Sequence, residues 1–130
     1  MDEFVADTHA LIWYFIDSPK LGPNAHKAFE DADRGQAIIH VPAIILAELY
    51  YANVKTGKTI DFDEVYNTLD SGSQFVLTPF DPKDVLDFER DSAVSEMHDR
   101  IIVGLAVRLG CPLLTVDKNI TASGSVEVVW

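Results

Sequence analysis

The sequence predicts an α/β fold, a mainly parallel sheet covered by helices on both faces. Strand-like and helix-like segments alternate along the chain, the order expected of strand–helix–strand units. Strand segments such as "PLLTV" (112–116) are continuously apolar, as burial on both faces requires. The helix-like segments carry apolar residues at helical spacing and stop at glycine or at breaker-rich loops.

Taken in order, "EFVAD" (3–7) reads as a short buried strand and "THALIWYFI" (8–16) as a helix, ended by "DSPKLGP" (17–23). The next helix spans Asn24 to Arg34, with Ala25, Ala28, Phe29 and Ala32 as its apolar stripe and Gly35 as its stop. "AIIHV" (37–41) is a strand. Pro42 then suits the first turn of a helix running to about Gly57. "DFDEVYNTL" (61–69) is a helix capped by Asp61, "QFVLTPF" (74–80) a strand, and "DPKDVLDFERDSAV" (81–94) a further helix. "HDRIIVGLAVRLG" (98–110) is an amphipathic helix with a glycine stop. "PLLTV" and "VEVVW" (126–130) are the last strands. Crossovers between such strands are right-handed, and ligand sites in open sheets of this kind lie at the carboxyl ends of the strands.

Residues 1–130 form one domain, long enough for a hydrophobic core. No run of about twenty apolar residues exists to span a bilayer, and "MDEF" lacks the basic start of a signal peptide, so a reducing cytoplasmic setting is the expectation. The one cysteine, Cys111, reads as a buried thiol; alone it makes neither an internal disulfide nor a thiolate cage. The net charge of −11, from 21 acids against 10 lysines and arginines, argues against a surface that grips phosphate backbones broadly. It suits a basic partner, a salty cytoplasm or an acidic site that holds cations.

Four acids stand where the pattern predicts burial or half-burial. Asp7 ends the first strand, Glu48 lies within "AIILAELYYA", Asp99 opens "HDRIIVGLA", and Asp117 follows "PLLTV". Each has an ordinary alternative. Asp7 can cap the helix that follows, Asp99 can serve the helix dipole, and Asp117 can be a turn residue in "VDKN". Glu48 can snorkel or pair with Arg100, although Ile44, Ile45, Leu49 and Ala52 surround it at helical spacings. As a set, the acids converge on one sheet edge with few lysines or arginines to neutralise them, which points to a divalent cation. Oxygen donors suit Mg²⁺ or Mn²⁺, and no His or Cys pair has zinc spacing. His9, two residues from Asp7, is a weaker candidate for lining the site. His98 reads as an exposed cap-region residue, and Arg100 as an outward helix arginine pairing with a neighbouring acid rather than a phosphate ligand.

The sequence resembles the PIN-domain nucleases, and among them toxins of the VapC type. The match lies in "VADTHALIWYF", "PAIILAELYYA", "HDRIIVGLAVRLGCPLLTVDKNI" and "VEVVW", in order over essentially the whole chain. The resemblance implies a three-layer α/β/α sandwich around a mainly parallel sheet of four or five strands. It implies Mg²⁺- or Mn²⁺-dependent hydrolysis of RNA phosphodiesters, with the metal-binding and catalytic acids falling on Asp7, Glu48, Asp99 and Asp117. Thr8 and Thr115 fall on the supporting hydroxyls, and Asn119 lies close by. It further implies a homodimer and a cognate antitoxin segment lying over the acidic cleft; the aromatic helices "LIWYF" and "LYYANV" offer apolar faces for a partner groove or dimer seam, with core packing the ordinary use for most of their residues. A PIN-like module that binds a protein or RNA without cutting is the competing expectation; a phosphatase or nucleotide hydrolase ranks below it, since no Walker lysine or second acid after "DT" is present.

Overall fold

The computed structural model describes residues 1–130. Five parallel strands form one sheet in the order β3-β2-β1-β4-β5, flanked by helices. The strands are β1 (Asp2–Ala6), β2 (Ala37–Pro42), β3 (Phe75–Thr78), β4 (Leu113–Leu114) and β5 (Val128–Val129). The helices are α1 (Thr8–Phe15), α2 (Pro23–Asp33), α3 (Ala43–Lys55), α4 (Phe62–Ser71), α5 (Met97–Leu109) and α6 (Lys118–Ser123). The α/β class, the parallel sheet and its strand number are as the sequence predicts.

The central strand is β1, paired with β2 on one side and β4 on the other. Val5, Ala6, Ile39, Val41, Leu113 and Leu114 of these strands are fully buried. Each large side chain among them contributes on the order of 2 kcal/mol by leaving water. Against this sheet α2 packs on β2, α4 on β3 and α5 on β1. The core stripe of α5 is Ile102, Val103, Leu105 and Ala106. The helix is closed at its start by the Glu96 side chain and at its end by Gly110, whose φ of 66° a side chain would strain. From β1 the chain order runs outward to β2 and β3 on one side and to β4 and β5 on the other. The crevice at the carboxyl ends of β1 and β4 is therefore the topological switch point.

Three local expectations differ. The predicted helix over 81–94 is a 3₁₀ helix at Pro82–Asp87 followed by turns. Val85 and Leu86 are exposed, so no apolar stripe holds an α-helix there, and what the segment buries is Asp84, Asp91 and Val94. Conversely, "VDKN" opens α6, which the sequence reading leaves as a turn; Asp117 caps it and Ile120 anchors it in the core. Pro42 ends β2 as the residue preceding α3 instead of starting that helix. No helix is long and apolar enough to cross a membrane.

Candidate metal centre

The four acids arrive at the switch point from four elements. Asp7 follows β1 and caps α1, Glu48 projects from the middle of α3, Asp99 sits in the first turn of α5, and Asp117 joins β4 to α6. All four line one cavity of about 440 Å³, with Thr8, His9, Ile12, Trp13, Ala52, Ile102 and Val116. The capping reading of Asp7 holds too, and Asp117, read from the sequence as a turn residue, is also a cap. Asp7 Oδ1 accepts from the Ala10 N–H at 2.9 Å, and Asp117 Oδ1 accepts from Asn119 and Ile120 at 2.8 and 3.0 Å. A cap uses one carboxylate oxygen and fixes the group, leaving the second oxygen for the cavity.

The threonines hold this arrangement. Thr8 Oγ1 donates to Glu48 Oε1 at 3.1 Å, tying α1 to α3. Thr115, fully buried, accepts from the Asp117 N–H at 3.0 Å, and its hydroxyl stands on the side of Asp7 where it favours the ionised carboxylate. Asn119 contributes its backbone N–H to Asp117.

The four acids feel one another's charge across the cavity, although no three of them bring ligand oxygens within 4.8 Å of one another. Burial pushes the Asp99 carboxyl up to about 6, aided in turn by the charges of Glu96, Asp117, Glu48 and Asp7. Burial also raises Asp7. The Thr115 hydroxyl, the Ala10 N–H and His9 oppose that, and Asp117 reinforces it. No lysine or arginine pairs with any of the four; the nearest basic group is the half-exposed His98, whose Nδ1 is 3.9 Å from Glu48 Oε2 and 3.6 Å from Glu96 Oε1. The Asp99 side chain accepts no hydrogen bond, its own N–H being capped by Glu96 Oε2 at 2.7 Å. Glu96 is the acid the sequence reading passes over. Its signal is its place three residues ahead of Asp99, the capping interval.

Arg100 differs from expectation. It pairs with neither Glu48 nor any other acid; its guanidinium donates to the carbonyls of Val94 and Phe88 at 2.7 and 3.3 Å, tying the preceding loop to α5. His9 is exposed at the cavity rim, its ring in tilted contact with Trp13. The donor set of the cavity is thus carboxylate and hydroxyl oxygen with no counter-charge. These residues fit a hard divalent cation such as Mg²⁺ or Mn²⁺, which would relieve repulsion that hydrogen bonds leave standing at Asp99.

Comparison with known proteins agrees with this geometry. The chain matches the PIN domain over residues 4–123. Its fold is similar to VapBC2 from Rickettsia felis bound to a promoter DNA fragment, at 18% identity and a TM-score of 0.64, covering 97% of this chain and 96% of that one. It is similar to FitAcB from Neisseria gonorrhoeae at 16% identity and a TM-score of 0.65, covering 96% and 95%. It is also similar to PAE2754 from Pyrobaculum aerophilum at 15% identity and a TM-score of 0.66, covering 98% and 83%. No curated protein matches the chain in sequence. The match runs from β1 into α6 and so takes in all four acids of the cavity: the chain belongs to the PIN-domain family.

Proposed function

We propose that this protein is a divalent-cation-dependent ribonuclease acting in the cytoplasm as the toxin of a toxin–antitoxin pair, with Asp7, Glu48, Asp99 and Asp117 as its metal-binding and catalytic acids. The observation that carries the reading is four carboxylates from four elements lining one cavity at the switch point, with no lysine or arginine to pair them. When bound, Mg²⁺ or Mn²⁺ supplies a Lewis acid for a phosphoryl oxygen and eases deprotonation of water.

The chain's own part is positioning. The Ala10 N–H fixes Asp7, the Thr8 hydroxyl orients Glu48, two backbone N–H groups fix the Asp117 carboxylate, and the Thr115 hydroxyl holds the Asp117 backbone. Asp99, with no donor of its own, presents its carboxylate to the cation. His9 and Trp13 add planar rings at the rim, of the kind on which unpaired bases stack. The acidic cavity admits an RNA phosphate only once a cation is loaded, which reconciles the net charge of −11 with a nucleic-acid substrate. Likeness to VapBC2 and FitAcB supports the toxin role. The exposed Tyr50, Tyr51 and Val54 of α3 offer an apolar face for the antitoxin or a second copy in a homodimer.

The test is cleavage of a mixed RNA pool in Mg²⁺ or Mn²⁺ by wild type, Asp7→Asn, Glu48→Gln and Asp99→Asn. Wild type is expected to cleave and each variant to lose at least about 10²-fold in rate. Equal cleavage by all four proteins removes the assignment. No metal-dependent turnover, together with tight RNA or protein binding, replaces it with a binding module.

A further inference from the structure

A second group of metal-ligating side chains lies away from the acidic cavity. On β1, Glu3 and Val5 point to the same face of the sheet, and Val5 registers with His40 of β2 and Leu113 of β4. Cys111 precedes Leu113 by two residues and falls on that face. A ring nitrogen of His40, a carboxylate oxygen of Glu3 and the Cys111 sulfur all lie within 4.8 Å of one another. His40 Nε2 is 2.7 Å from Glu3 Oε1. The other ring nitrogen, Nδ1, is buried with no hydrogen-bond partner, in a side chain only 10% exposed. Cys111 is buried and its thiol makes a single long contact, 3.5 Å to the Leu109 carbonyl. No lysine or arginine pairs with Glu3, whose outer side is open to water.

We propose that Glu3, His40 and Cys111 form a second cation site, taking a thiophilic divalent ion of which Zn²⁺ is the best fit. Thiolate, imidazole and carboxylate form the mixed set that Zn²⁺ takes at tetrahedral sites, whereas Mg²⁺ favours the all-oxygen cavity. Three protein ligands leave a fourth position on the exposed Glu3 side for water. Around a tetrahedral ion the ligand atoms stand about 3.5 Å apart, so closing the group needs only side-chain rotation of about 1 Å. Thiolate and carboxylate together balance the two positive charges, leaving a neutral site on a half-buried face. Uptake releases the thiol proton to solvent. Glu3 precedes Asp7 by four residues along the same strand path, about 13 Å, so the two sites are separate.

The experiment titrates Co²⁺, a spectroscopic stand-in for Zn²⁺, into reduced, metal-free protein held in excess Mg²⁺. The readout is the thiolate-to-cobalt charge-transfer absorption, which only Cys111, the single cysteine, can produce. Wild type is expected to saturate at one equivalent and to lose the band when Zn²⁺ is added. Cys111→Ser should abolish the band, Glu3→Gln should weaken Co²⁺ binding at least about tenfold, and Asp99→Asn should leave it unchanged. Circular dichroism confirms that each variant is folded; Glu3 is exposed, so Glu3→Gln keeps the test decisive should Cys111→Ser fail to fold. Absence of the band in wild type, or equal affinity in Glu3→Gln, overturns the proposal. RNA cleavage plays no part in the readout, so the outcome is independent of the nuclease assignment.

Discussion

The molecule holds two clusters of acids against α5, and they are resolved in opposite ways. Near the middle and end of the helix, Asp84, Asp87 and Asp91 meet arginines. Arg108 reaches Asp84 at 3.2 Å and Asp87 at 3.0 Å, while Arg90 grips Asp91 through two bonds of 3.0 and 2.9 Å. The Asp91 hydrogen bond, with the charges of Asp91 and Asp87, holds the Arg90 guanidinium above its ordinary value. At the start of the same helix Asp99 faces Asp7, Glu48 and Asp117 with no arginine or lysine, and its carboxyl is pushed up to about 6. The first cluster is a fastener for the 3₁₀ segment. The second is a charge imbalance that the chain leaves for something else to correct. Burial alone does not mark a functional acid: Asp91, at 2% exposed, is more buried than any acid of the cavity. The missing counter-charge is what sets the acids of the proposed site apart.

Substitutions can break this contrast. The largest effect is expected from Arg108→Ala, which strips the partner from the buried Asp84 and from Asp87; it should cost about 3 kcal/mol in urea unfolding. A loss under about 1 kcal/mol would mean that the tether is not held by these pairs. The next concerns the cavity. Mg²⁺ or Mn²⁺ at a hundredfold over its Kd should stabilise wild type by about 2.7 kcal/mol, read as a rise in Tm, and should do much less for Asp99→Asn.

A third sharpens the sign. The Asp99 carboxyl has a higher affinity for its proton in the folded protein than the ordinary 3.8. Its contribution therefore favours the fold fully below about pH 3.8 and is lost as pH rises through about 6. In the metal-free protein, stability should fall across that window by about 1 kcal/mol once solvent screening is allowed for, with Asp7 acting in the same direction. Asp99→Asn should flatten the fall and be more stable than wild type at pH 7.5 in EDTA. If it is less stable, Asp99 is a structural acid after all. The smallest effect belongs to Lys27 with Asp31 at 2.7 Å on the outer side of α2, where Lys27→Ala should cost no more than about 0.5 kcal/mol.

Much of this was legible in the residues. Alternating elements and doubly apolar strands specify a parallel sheet, and a parallel sheet puts Asp7 and Asp117 at its carboxyl edge. Glu48 betrayed itself by its apolar neighbours on α3. The two misread segments share a cause. Over 81–94 the residues that hold the chain are acids whose partners include Arg108, far along in sequence, so no local period reports them. In α6 a six-residue helix is too short to show a period, and its capping aspartate reads as a turn.

The sequence by itself determined the fold class and the sheet edge at which Asp7 and Asp117 stand, because hydrophobic period and strand ends are local properties that short stretches carry; the four acids as one site remained a proposal drawn from the set. Only the tertiary structure decided which acids keep a counter-charge and which do not, and that Glu3, His40 and Cys111 meet on one face of the sheet. Coulomb interaction and ligation act over a few ångströms in space, and distances of that size between remote residues exist only once the strands have paired.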